Sequence, residues 1–146
     1  MGITSAVCNS FKQEILEAEH NFTASSGNTF NLALYTSSAT INKSTTAYSS
    51  TNEISNTSGS AYSAKGNALT SVTPVLDSDT AVCDFSNTSW TSASFTANGC
   101  LIFNDSHSSD AAVCAIAFGG DKTVTSGTFT IEFPSAAAST AIIQLA

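Results

Sequence analysis

Apolar residues recur at the spacing of an α-helix at one place in the chain, close to its beginning. Polar residues fill the rest of that stretch, and Leu16 is the one apolar residue that falls outside the apolar side. The spacing predicts an amphipathic helix over 6–20, with Thr4 or Ser5 as its N-cap and Asn21 near its C-cap. Its apolar side is expected either to pack on the protein's own sheet or to contact a neighbouring subunit. The residues on that side are Val7, Cys8, Phe11, Ile15, Ala18 and Phe22.

Beyond residue 28 the pattern changes to the short alternations that are typical of strands. In the segment FNLALY, Phe30, Leu32 and Leu34 lie on one face and polar or small residues on the other, which predicts a half-buried strand. Pro74 cannot donate to a strand ladder, so it predicts an edge strand or a bulge. Asp77–Asp79 is predicted as a turn. Further strands are predicted over 68–76, 80–85, 91–97, 99–104, 111–118, 128–133 and 139–146, with a glycine-bounded loop over 119–127.

The stretch GCLIFNDSHSSDAAVC contains both apolar and potentially reactive residues. Its two flanking segments are apolar on both faces, which predicts a central hairpin that is buried on each side. Between them lie Asn104, Asp105, His107 and Asp110, which could form a metal site or only a polar turn. Transition-metal sites need three or four convergent ligands with further support, whereas Asn, Asp and Ser are ordinary turn residues. We therefore predict a turn and no metal site.

The segment over 37–67 is rich in serine, threonine, asparagine and glycine and shows no clear period. Its isolated large anchors are Ile41, Tyr48, Ile54 and Tyr62. Long loops inside compact domains are uncommon unless they serve a purpose or contain short strands. Two interpretations stay open: an insertion with one or two weak edge strands, or an arm that reaches an adjacent protein.

Together these elements predict a mainly β fold. We expect a two-sheet antiparallel sandwich of jelly-roll or immunoglobulin-like kind, with one N-terminal α-helix, and residues 1–146 as a single domain. No internal repeat of fixed period is visible, which argues against propellers and solenoids.

Charge excludes two classes of partner. The chain has four lysines, no arginine, and eleven acidic residues, which gives a net charge of −7. Affinity for phosphate backbones and for anionic lipid surfaces comes from lysine and arginine, so we expect no nucleic acid and no membrane partner. No apolar run is long enough to span a bilayer, and no secretory signal is visible.

The four cysteines lack metal-site spacing. In the absence of a visible signal sequence, Cys8, Cys83, Cys100 and Cys114 are predicted to be reduced thiols that act as small core residues. A disulfide between Cys100 and Cys114 stays open, because it requires a hairpin register that places the two opposite each other.

Candidate catalytic groups are few. His20 and His107 are the only histidines, and neither lies near a recognisable nucleophile motif, so we expect a protein that is not an enzyme, with no catalytic residue and no cofactor. Trp90 is the only tryptophan; it either fills the core or forms a surface platform for carbohydrate.

Several segments carry a resemblance to a known group of proteins. ITSAVCNSFKQEIL, HNFTASSGNTFNLALYTSSAT, TSVTP, GCLIFND, FGGDKTVTSGTFTIEFP and ASTAII span nearly the whole chain. They resemble a family of small structural proteins of the virions of tailed bacteriophages from marine and fresh waters. The resemblance implies a structural role in a virus particle and carries over no catalytic residue.

The composition agrees with a capsid decoration (cement) protein. Such a protein would bind the major capsid protein and copies of itself, as a dimer or trimer, and would be located in the virion after synthesis in the host cytoplasm. A tail or fibre component, bound to a tail protein, is the first alternative, and a carbohydrate-binding module is the second. The residues expected to contact partners are Phe11, Ile15, Tyr48 and Ile54.

Overall fold

The fold is built almost entirely of strands. The structure, a computed structural model, describes residues 2–146. Its elements are β1 (Ala6–Val7), α1 (Asn9–Leu16), β2 (Phe30–Tyr35), β3 (Asn67–Ala68), β4 (Ser71–Asp77), β5 (Thr80–Phe85), β6 (Thr88–Asn104), β7 (Ala111–Ile131) and β8 (Ile143–Leu145).

The strands form two antiparallel sheets. The larger has five strands in the order β1-β7-β6-β2-β3, and the smaller has three in the order β4-β5-β8. Their buried apolar side chains join in one cluster. The predicted mainly β, two-sheet fold with a single N-terminal helix is therefore confirmed.

Strand β2 is the most completely buried element. All six of its side chains are buried, so the predicted half-buried strand is wrong. The reason is that β2 lies inside the large sheet, paired with β6 from Phe30 opposite Asn104 to Tyr35 opposite Gly99. Both faces of this strand must consequently be covered by other parts of the chain.

The first face of β2 is covered by aromatic rings from the helix region and the small sheet. The ring of Phe30 stacks on that of Phe22 with centroids 4.2 Å apart and lies 5.9 Å from that of Phe85 on β5. Offset and tilted aromatic pairs of this kind stabilise a core beyond their buried area. This contact joins the two sheets.

The second face is covered by the loop over 37–67. The Tyr48 ring stacks on Phe103 of β6 at 4.8 Å, and the Tyr35 hydroxyl donates to the Ser49 carbonyl at 2.8 Å. The backbone N–H of Ile54 donates to the carbonyl of Leu34 at 2.9 Å. The loop is thus a layer of the fold, as expected for an insertion, and it includes isolated bridges such as Tyr35 to Glu53.

Helix α1 is shorter than predicted. The chain before it forms β1, where Ala6 lies opposite Ala115, so the predicted helix start and the caps Thr4 and Ser5 are wrong. Cys8 is the N-cap, and Ala18 with φ of 63° ends the helix before Asn21. Sequence periodicity does not show that residues 6–7 pair with a distant strand before the helix begins.

The helix packs on the protein's own large sheet. Phe11 is buried among core residues, whereas Leu16 is 88% exposed. The exception at Leu16 is confirmed. Of the predicted apolar side, Cys8, Phe11 and Phe22 are buried and Val7 and Ile15 are half-buried, but Ala18 is exposed because the helix ends before it.

The predicted hairpin around the polar tip is confirmed, but it is much longer than expected. Strand β7 continues through 119–127, so the predicted loop there is wrong. Gly119 and Gly120 have positive φ values and lie in a bulge between the pairs Gly99–Ala117 and Ala97–Lys122. The glycines bend the strand without ending it.

Strand β4 is an edge strand with a bulge, as Pro74 predicted. The bulge falls between Val72 and Val75, and the following turn places Ser78 in a left-handed conformation. The predicted strand over 68–76 is divided in two, because β3 joins the large sheet and β4 the small one.

The cysteines are all buried and all free, as predicted. Cys100 lies opposite Ile116 and Cys114 opposite Ile102, so the hairpin register separates the two thiols and no disulfide joins them. Burial raises the pKa of the Cys83 thiol to about 12 and that of Cys8 to about 11.

Gly66 provides a sharp test of the contact between the loop and β2. It has φ of +65°, and a Cβ there would overlap the Leu32 carbonyl, whereas Gly59 has φ of +87° with open space around it. We expect Gly66→Ala to lower the free energy of unfolding by about 3 kcal/mol or more, because backbone must shift. Gly59→Ala is the control and should cost only about 1–2 kcal/mol of left-handed strain. Urea unfolding measures both, and equal losses would contradict the predicted overlap.

Candidate functional site

The polar hairpin tip is held together by a lysine from the loop. Lys65 Nζ lies 2.8 Å from Asp105 Oδ1 and 2.9 Å from Asp110 Oδ2. The hydrogen bonds to Asp105 and Asp110 raise the pKa of Lys65 above its usual range. The two carboxylates that suggested a metal site in the sequence therefore have a cation of the same chain as their partner.

The remaining tip residues make local contacts. Asn104 is fully buried, and its Oδ1 accepts from the Ser106 N–H at 3.0 Å, as expected for a turn. His107 Nε2 lies 3.4 Å from Glu19 Oε2, and its Nδ1 accepts from Ser109. Within residues 2–146, no group of three or more His, Cys, Asp or Glu side chains is placed to hold a metal ion.

His20 is buried, and both of its ring nitrogens have partners. The Asn104 amide donates to Nδ1 at 3.1 Å, which leaves the proton on Nε2 to be donated to Glu14 Oε2 at 2.7 Å. An imidazole with both nitrogens engaged has neither a free lone pair for a substrate proton nor a free proton to donate. Its role here is to join the helix to the hairpin tip.

Glu53 is the centre of a second polar network. Its Oε1 accepts from the Tyr62 hydroxyl at 2.6 Å and from the Lys65 N–H at 2.7 Å, and its Oε2 accepts from the Tyr48 hydroxyl at 2.5 Å. The Tyr62 hydroxyl in turn accepts from the Leu34 N–H of β2 at 2.9 Å. One carboxylate therefore fastens three points of the loop to one another and to the sheet.

The pKa values of the tyrosines reflect this environment. Burial, together with the hydrogen bond to Glu53, raises the pKa of Tyr48 to about 12. The same two causes raise the pKa of Tyr62 far above its usual range, and burial beside Glu53 does the same for Tyr35. Each phenol is thus held in its neutral form.

The four residues predicted to contact partners differ in their exposure to solvent. Phe11 and Ile54 are only 3% and 6% exposed, because they pack inside the fold. Ile15 and Tyr48 are partly buried at its surface. Contact with a partner stays a prediction for all four, and Ile15 and Tyr48 are the two that retain accessible surface.

Trp90 lies inside the fold, as one of its two interpretations required. It is 4% exposed, and its ring lies 6.0 Å from that of Tyr62 and 6.1 Å from that of Phe129. A side chain so placed cannot serve as a surface platform for a sugar ring.

An apolar groove separates the helix from the small sheet. Its volume is about 440 Å³, which lies within the range of small-ligand pockets. Its walls come from α1, the segment that follows the helix, and strands β4, β5 and β8. The lining residues are Phe11, Ile15, Ala18, His20, Asn21, Phe22, Thr23, Pro74, Ala81, Val82, Cys83, Ile143 and Leu145. We call this surface the helix–sheet groove.

Sequence reasoning missed both the Glu53 network and the helix–sheet groove. Glu53 had a signal: it is the only acidic residue between Ser37 and Asn67, and it lies between two of the loop's tyrosines. The groove had none, because it depends on how α1 and the segment after it pack against the sheet formed by β4, β5 and β8.

Comparisons with protein-family models, with curated proteins and with solved structures give no match. Among the described residues, no helix is both long enough and apolar enough to cross a membrane.

Removing the charge at Glu53 tests the loop network. Glu53→Gln replaces an accepting oxygen with a donating amide, and we expect it to lower the free energy of unfolding by about 1.5–3 kcal/mol. Glu132→Gln is the matched control: it is the same change at an exposed position, and its effect should stay within about 0.5 kcal/mol. Chemical denaturation measures both, and equal stabilities would refute the proposed role of Glu53.

Alkaline titration tests the three tyrosines. Because their folded-state pKa values are raised, their stabilising contribution is complete below the unfolded-state pKa of about 10 and is lost as the pH rises through the folded-state values. We expect the tyrosinate absorbance of the folded protein to stay low at pH 10–11 and to appear near pH 12, where Tyr48 ionises or the chain unfolds. In concentrated urea, the same signal should have its midpoint near about pH 10. A midpoint near 10 in the folded protein would contradict the buried arrangement.

Proposed function

We propose that the protein is a non-enzymatic structural protein of a tailed-bacteriophage virion, and that it acts as a decoration protein of the capsid. The observation that carries the proposal is the sequence resemblance described above, which runs from Ile3 to Ile143. In this role the chain binds the major capsid protein and stabilises the head.

The arrangement of polar groups supports this role. Lys65 Nζ binds the Asp105 carboxylate, and the Glu53 carboxylate accepts from the hydroxyls of Tyr48 and Tyr62 and from the backbone N–H of Lys65. These charged groups are therefore used to hold the fold together. A β domain fastened in this way suits a protein that acts through the shape and the chemistry of its surface.

Decoration depends on repetition. Each copy needs only a modest contact area, because many copies on one lattice reinforce it together, and linked contacts add through effective concentration. A compact domain with a net charge of −7 also stays dispersed in solution before it meets the lattice.

A tail or fibre component is the alternative, because the same β fold would suit a structural protein of the tail. The carbohydrate-binding alternative loses its main support, because Trp90 is buried.

Copy number on purified particles tests the proposal. Quantitative mass spectrometry of particles from cells that encode this chain should find hundreds of copies per virion, at a fixed ratio to the major capsid protein. Cryo-electron microscopy should place them on the outer surface of the head. A few dozen copies or fewer would favour the tail role, and absence from the particles would overturn both.

A further inference from the structure

The helix–sheet groove continues beyond its lining residues as an apolar strip on the small sheet. In the strand register, Leu76 of β4 lies opposite Ala81 of β5, which lies opposite Leu145 of β8. These three residues therefore share one face of the sheet. Leu76 and Leu145 are 71% and 57% exposed.

This strip has no cover from the chain itself. Helix α1 has only eight residues, and β8 has three. The groove has a volume of about 440 Å³. Covering its apolar walls with apolar side chains is favourable, because this removes the walls from water.

Carboxylates lie beside the helix wall of the groove. Glu14 bonds His20 of the lining, and Glu17 and Glu19 flank the lining residue Ala18. On the sheet side, Asp79 lies in the turn before Ala81, whereas Asp77 Oδ2 accepts from the Ala138 N–H at 2.7 Å.

Fewer lysines than carboxylates lie near the helix: Lys12 is part of it, and the carbonyl of Lys43 accepts from the Asn9 N–H at 2.8 Å. Lys12 is the nearest lysine in sequence, next to Phe11, and its Nζ lies 3.3 Å from Asn9 Oδ1. Lys65 is bound at the hairpin tip. The groove is therefore apolar inside and acidic at its margin.

We propose that the helix–sheet groove binds an apolar segment of a partner protein that carries lysine or arginine beside its apolar residues. The charge pattern argues against a second copy as the occupant, since two acidic margins would face each other and each chain has a net charge of −7. The inference rests on the proposed function only in naming the partner: in the virion, the segment belongs to the protein of the lattice.

Defined synthetic peptides test the chemistry of the groove directly. The probe is a fluorescein-labelled octapeptide of four leucines with two lysines at each end. Two comparison peptides replace the lysines with glutamates or the leucines with serines. Fluorescence anisotropy with the full chain should give at least tenfold tighter binding of the lysine–leucine peptide than of either comparison peptide. The affinity should fall as sodium chloride is raised.

Matched variants locate the binding. Leu145→Gln and Leu76→Gln should weaken binding at least tenfold. Leu16→Gln should leave it unchanged, because Leu16 is 88% exposed and lies outside the lining. All three positions are exposed, so the variants are expected to fold, and circular dichroism and thermal unfolding verify this.

Three outcomes would overturn the proposal: equal binding of the three peptides, equal loss in all three variants, or dimerisation of the chain that Leu145→Gln abolishes. The last outcome would identify a second copy as the occupant. The groove hypothesis and the proposed virion role can fail independently of each other. Particles that carry the protein while no peptide binds would refute only the groove, and peptide binding by a protein absent from particles would refute only the virion role.

Discussion

The need to cover both faces of strand β2 determines the arrangement of the whole molecule. Its alternating residues place Phe30, Leu32 and Leu34 on one side and Asn31, Ala33 and Tyr35 on the other, and both sides are buried. The helix region and small sheet supply one cover, and the loop supplies the other. The loop has little apolar surface of its own, so its position depends on the Glu53 carboxylate, which binds Tyr48, Tyr62 and the backbone of Lys65. A charged acceptor of this kind forms stronger hydrogen bonds than a neutral one.

The two covers differ in what they leave exposed. The loop side is completed by polar contacts, and the hairpin tip is neutralised by Lys65. The helix side ends early, and the strip formed by Leu76, Ala81 and Leu145 continues past it. The cover on the helix side therefore leaves apolar surface of the small sheet exposed at Leu76 and Leu145. Phe11 in the helix and Ile54 in the loop are both buried, whereas Ile15 remains partly accessible beside the groove.

The elements with a local sequence pattern could be predicted. Prediction failed where pairing or packing with a distant part of the chain determines the local structure. The central hairpin, the bulge at Pro74 and the free thiols follow from residue type and alternation. The helix start was wrong because β1 pairs with β7 across more than a hundred residues of sequence. The continuation of β7 through Gly119 and Gly120 was missed because glycine is common both in β-bulges and in loops, and the sequence alone does not distinguish them. Both the Glu53 network and the helix–sheet groove arise from tertiary packing, which no local pattern contains.

The depth of the four sulfur atoms has a consequence for durability. Thiols oxidise and exchange through their ionised form, and burial suppresses that form at Cys83 and Cys114 by raising their pKa to about 12. The covalent state of the chain is then the same in a strongly reducing solution and in air-saturated water. The fold joins none of its four cysteines in a disulfide, so it needs no oxidant to form.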